Sequence, residues 1–228
     1  MTKEIPQFES FEQMAEATAE GLVKIGAHHA FQLFRDREFR RLANFDILSQ
    51  VEHDRVFNEL VVSYVVLIIL MLEAPDLRVP TEFRDYLRLM KERVARAHLD
   101  YLKSVGVQEE HLQGWEKLID LRCHEYAKDR HEVRAAAMQV ESEDKPLELG
   151  DLTRIQMLVP VQTVAIGCHE HICRGETKGR DALFKWVLKW LSKFYVDIRL
   201  RLEGGKVTPI MKAKVVWKQM IRRRRKKK

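Results

Sequence analysis

The sequence predicts an all-α fold: a six-helix bundle over residues 1–205, with its second and fifth helices central, followed by a basic C-terminal helical arm over 206–228. Three observations carry that expectation. Glycine and proline are scarce, 10 and 6 in 228 residues, and they fall where helical periodicity stops. The segments between them repeat apolar residues at helical spacing, and none alternates with the period of a strand. Several of these segments also open on a residue able to cap a helix N-terminus.

The capping-box pattern Ser10-x-x-Gln13 opens a first helix of about 11–42, which is broken between Asn44 and Asp46. Ser49-x-x-Glu52 caps the second, which ends before Pro75. Pro80-Thr81 starts the third, closing near Gly106. The fourth, long and charged, runs over about 109–140, and the stretch 141–150 reads as a turn. Asp151 caps a fifth helix that is bent at Pro160 and ended by Gly175. A sixth spans about 180–203 and stops at Gly204. Thr208-Pro209 supplies a cap and a first-turn proline, so the arm is expected to begin as a short helix.

The helices are not equivalent. The second is apolar around its whole circumference over 60–72, and the fifth is nearly so over 155–168. A helix apolar all round belongs at the centre of its bundle. The run 60–72 is 13 residues, short of the roughly 20 needed to span a bilayer, so a core helix and no transmembrane helix is expected. The fourth helix carries one apolar stripe through Leu112, Trp115, Ile119, Cys123 and Tyr126. The sixth sets Lys185, Lys189 and Lys193 beside Trp186, Trp190 and Phe194, a basic edge next to an apolar face.

Charge divides the chain. From Lys206 onward there are eleven basic residues and no acidic one, and removing them from the net charge of +6 leaves −5 on residues 1–205. The run Arg222, Arg223, Arg224, Arg225, Lys226, Lys227, Lys228 cannot pair locally and repels itself unless it meets a polyanion. Before it, Lys212, Lys214, Trp217 and Lys218 place an interfacial aromatic among cations. Such an arm suits an anionic membrane surface or the phosphates of nucleic acid. The protein partner that the body would hold is not named by any motif. A second basic cluster, Arg35 to Arg41, is expected to be a solvated helix end.

The acidic N-terminus has no apolar stretch of the secretory type. Cys123, Cys168 and Cys173 are odd in number and at no disulfide-framework spacing, which points to free thiols in a reducing, cytoplasmic setting, with peripheral membrane attachment open to it.

Catalytic signatures are lacking. There is no Gly-rich phosphate loop and no Gly-x-Ser-x-Gly elbow, and whether the chain is an enzyme stays open at this level. Two tripeptides repeat, Cys123-His124-Glu125 and Cys168-His169-Glu170. In an antiparallel hairpin of the fourth and fifth helices they sit at one height. At about 100° per residue, His124 and His131 fall on a charged face, and Glu170 and His171 turn away from the core. Cys123, His169 and Cys173 face inward. Glu59, at the entry of the apolar stretch, needs a partner, a shifted pKa or a cation. The four together define an alternative function: a metal-binding helical bundle, redox activity included, with Glu59, Cys123, His169 and Cys173 holding a transition metal such as Zn or Fe. The plainer reading is a core histidine with a hydrogen-bonded carboxylate and thiols acting as small hydrophobes.

Overall fold

In the computed structural model, which describes residues 10–74, 77–143 and 146–204, the chain forms seven α-helices, two 3-10 turns and no strand among those residues. The α-helices are α1 Phe11–Arg35, α2 Arg37–Leu42, α3 Gln50–Leu72, α4 Arg84–Ser104, α5 Glu109–Ser142, α6 Leu149–Cys173 and α7 Asp181–Leu202. The basic arm, with every residue assigned above to polyanion contact, lies outside the described residues.

The extra helix arises where the first predicted helix divides. Asp36 takes an extended conformation (φ −63°, ψ 127°) and caps α2, its Oδ1 accepting from the Phe39 N–H at 2.8 Å. The same oxygen accepts from Trp186 Nε1 of α7 at 2.9 Å, so the break is held by a residue far along the chain. The basic cluster around it is partly used: Arg41 pairs with Glu38, and the Arg40 guanidinium lies 4.6 Å from the centroid of the Phe45 ring. Asn44, at φ 56°, then turns the chain into the 3-10 turn Phe45–Ile47.

Ser10 and Ser49 cap α1 and α3 through their hydroxyls, each accepting a backbone N–H at 3.3 Å. Helix α6 begins three residues earlier than expected, because Glu148 and Asp151 form a reciprocal capping box. Asp151 is therefore the third helical residue, not the cap. Pro160 lies inside α6, which continues through it.

Helix α3 packs against α1, α4, α5, α6 and α7. Every residue from 60 to 72 is buried, a pattern that only surrounding protein or lipid can satisfy. By length and composition α3 could cross a membrane; here 83% of its apolar window is covered by the other helices. Helix α6, expected to share the centre, packs chiefly on α3, α5 and α7 and leaves Leu152, Ile166 and Glu170 exposed. It packs tightly on α5. Gly167 sits under the fully buried Tyr126 ring, and a Cβ there would lie 2.1 Å from Tyr126 Cε1. Only glycine allows the two helices this separation.

Candidate anion-binding cleft

The four residues expected to gather a metal are not brought together as one set. Among the described residues, no three of His, Cys, Asp and Glu stand together in a group able to hold a metal ion. Cys123 is only half-buried on α5, where burial pushes its thiol up to about 11. His169 lies beside the Phe184 ring of α7, 5.6 Å between centroids, and burial lowers its pKa, partly countered by a hydrogen bond with the Arg180 backbone. Cys173 is next to Arg180 as well, its Sγ 3.9 Å from Nη1, and burial raises its pKa. Cys168, not Cys123, is the fully buried thiol nearest the Glu59 cluster, and its pKa is raised first by burial and then by Glu59. Thiols held protonated in this way are poor nucleophiles and poor ligands.

Glu59 has found a partner, as a buried carboxylate must. Arg122 of α5 grips it bidentately, Nε to Oε1 at 3.0 Å and Nη2 to Oε2 at 3.0 Å, and the Tyr126 hydroxyl donates to Oε1 at 3.1 Å. The remaining guanidinium nitrogen, Nη1, donates to Glu125 Oε2 at 3.0 Å. Glu125 Oε1 in turn lies 2.8 Å from His171 Nε2, which corrects the expectation that His171 turns away: it closes the α5–α6 hairpin. Arg55 donates to the carbonyls of His171 and Ile172 at 2.7 and 3.1 Å, satisfying acceptors that the end of α6 leaves open. Glu52 joins Arg55 and Arg174. A cleft of about 610 Å³ opens above this network, with Asp54, Asn58 and Glu170 on its walls. Its three arginines are already paired with carboxylates, Arg55 and Arg174 with Glu52 and Arg122 with Glu59, so its chemistry is that of a helix-to-helix lock.

The other end of α3 is different. Glu73 caps the C-terminus of the helix, where the negative end of the helix dipole disfavours a carboxylate. Lys91 of α4 holds one oxygen at 2.7 Å and Arg130 of α5 the other at 3.3 Å. A cleft of about 600 Å³ surrounds this carboxylate. Arg84, Arg88, His131 and Arg134 line it together with Lys91 and Arg130, while Leu72, Leu77, Leu87 and Val159 form an apolar floor. On α4 the three cations recur at i, i+4 and i+7, and on α5 the two arginines at i and i+4, which places each set on one helix face. Arg88 has only an exposed 3.5 Å pair with Asp85, of a kind that contributes little. Read alone, each of these cations is a solvated helix-surface residue; the site exists only because α4 and α5 converge on the end of α3.

A third recess, about 570 Å³ between α5, α6 and α7, is lined mainly by apolar side chains such as Val133, Ala137, Ile155 and Leu188. Neither a family model, nor a curated protein, nor a solved structure matches the chain.

Proposed function

We propose that this chain is a non-enzymatic helical interaction module that docks on an anionic surface through its basic C-terminal arm, with the Glu73 cleft as the contribution of the body. The observation that supports the reading most directly is the concentration of charge. A body of net charge −5 over residues 1–205 nevertheless gathers Arg84, Arg88, Lys91, Arg130 and Arg134 around one carboxylate. The arm adds eleven cations after residue 205, with Trp217 suited to an interface. An apolar floor beneath a cationic rim favours phospholipid over nucleic acid, whose phosphates offer no apolar chain. In this reading the protein is cytoplasmic and peripheral to a membrane.

Co-sedimentation tests it. The full chain and a variant with residues 222–228 changed to glutamine are compared on anionic vesicles, neutral vesicles and RNA, at low and high salt. The expected result is salt-sensitive retention on anionic vesicles, lost in the variant, because each cation near the surface contributes about 1 kcal/mol. Equal retention of both proteins overturns the reading, and a preference for RNA over anionic vesicles replaces phospholipid with nucleic acid.

A further inference from the structure

The cleft at the end of α3 has two chemical halves, and together they specify a ligand. Among the described residues, its rim carries more cations than the one carboxylate lining it can neutralise. Glu73 occupies Lys91 and Arg130. Among the described residues Arg84 and Arg134 have no ion-pair partner, and Arg88 has only the exposed Asp85.

The position of two of them is itself informative. Arg84 is the first residue of α4 and Arg88 lies one turn on, at the end of a helix where the dipole disfavours positive charge. The placement of Arg84 gives the helix nothing, whereas with Arg88 it gives the cleft two guanidinium groups. Below the rim the floor is aliphatic, Leu72, Leu77, Leu87 and Val159, and continuous with the bundle core at Leu72 and Leu87. A bare anion uses only the rim, and a neutral apolar molecule only the floor.

We infer that this cleft binds a single phosphomonoester amphiphile, its dianionic head among Arg84, Arg88 and Arg134 and its alkyl chain on the aliphatic floor. Three guanidinium groups, one of them held only by an exposed carboxylate, match a phosphate better than a monoanionic carboxylate, since each can offer a forked pair of donors to phosphate oxygens. The size is suitable: small-molecule sites commonly enclose roughly 300–1,000 Å³, against about 600 Å³ here. This inference deepens the proposed docking function and rests on it, by assigning the headgroup and chain that the body itself would take from the surface.

The test is calorimetric titration of the full chain with monomeric octyl phosphate, octanoate, octyl glucoside and inorganic phosphate. Octyl phosphate is expected to bind at least about tenfold more tightly than inorganic phosphate, the equivalent of two buried methylenes, and more tightly than octanoate or octyl glucoside. Arg84→Gln/Arg134→Gln is expected to weaken octyl phosphate by about tenfold or more, since hydrogen bonds to charged groups are the stronger class. Both residues are exposed, so circular dichroism should show an intact fold. Leu77→Ser is expected to lower octyl phosphate affinity while leaving inorganic phosphate unchanged. The inference is overturned by inorganic phosphate or octyl glucoside binding as tightly as octyl phosphate, by octanoate binding as tightly, or by an Arg84/Arg134 variant with unchanged affinity. Changing 222–228 to glutamine separates the two claims. If that variant keeps octyl phosphate and loses vesicles, cleft and arm act as assigned. If the parent holds vesicles but no octyl phosphate, the cleft assignment falls and surface docking stands.

Discussion

Helix α3 carries a carboxylate near each end of its buried stretch, and α5 supplies an arginine to both: Arg122 for Glu59 and Arg130 for Glu73. The two ends use the same residue types for opposite purposes. At Glu59 the side chain is 5% exposed, and its oxygens are filled by Arg122 and Tyr126. At Glu73 the carboxylate is 30% exposed and stands among more cations than it can neutralise. A closed set of buried partners specifies how helices fit together, whereas an open excess of one charge at a solvent-accessible cleft leaves something for a ligand to complete.

The comparison breaks most visibly if the closed end is opened. Arg122→Met leaves Glu59 as an unpaired buried carboxylate and is expected to cost about 3–5 kcal/mol, read from urea unfolding at neutral pH. Adding Glu59→Met should recover most of that loss, because two apolar side chains in place of a buried ion pair are often neutral or better. A double variant as unstable as Arg122→Met alone would show that the pair acts by packing, not by charge satisfaction.

Next in size is Gly167→Ala. The new Cβ meets the Tyr126 ring at 2.1 Å, and Tyr126 is both fully buried and bonded to Glu59. Better helix propensity returns up to about 1 kcal/mol, but overpacking of a caged aromatic should dominate, for a net loss of about 2 kcal/mol. A stabilised variant would mean that α5 and α6 separate more easily than their contact implies.

His98 sharpens the contrast from the other side, as a buried polar group whose account is not closed. It is 0% exposed, neither ring nitrogen has a hydrogen-bond partner among the described residues, and its ring lies 5.3 Å from that of Trp115. Burial lowers its pKa from 6.5 to about 4. The unfolded chain therefore takes up a proton as pH falls through 6.5 while the folded chain does not. Stability is full above that value and declines towards pH 4, by up to about 1.4 kcal/mol per pH unit from this group. Unfolding midpoints between pH 7.5 and 4.5 should fall less steeply in His98→Met than in the parent. Parallel slopes would remove His98 as the cause.

What was legible in the sequence follows the range of the interactions. Ser10 and Ser49 were readable as caps because a cap and the N–H it receives lie three residues apart. Asp36 has the same local chemistry, yet it divides a helix that periodicity alone continues, and its second partner, Trp186, is 150 positions away. Glu59 was recognisable as out of place, since a carboxylate beside an apolar run must be compensated. Its compensation by Arg122 was not, because that depends on how α3 crosses α5. The helical wheel favoured Cys123 over Cys168, but Cys168 is the one that the packed bundle buries completely. The Glu73 cleft was least legible of all: its cations come from α4 and α5, and each helix read separately is merely charged.

The smallest expected effect is the one that best divides the two ends of α3. Arg84→Gln/Arg134→Gln removes two cations whose side chains are exposed and which, among the described residues, pair with nothing. Surface substitutions of that kind change stability by no more than about 0.5 kcal/mol. Loss of mutual repulsion in the cleft should make even that change favourable, more so at low salt, where screening is weakest. The measurement is the unfolding midpoint of parent and variant at two salt concentrations, beside that of Arg122→Met. A destabilised variant would show that these arginines support the fold as Arg122 does, and the distinction between a closed and an open end would fail. A stability unchanged or slightly raised, with Arg122→Met severely impaired, separates arginines that the fold requires from arginines that it merely carries.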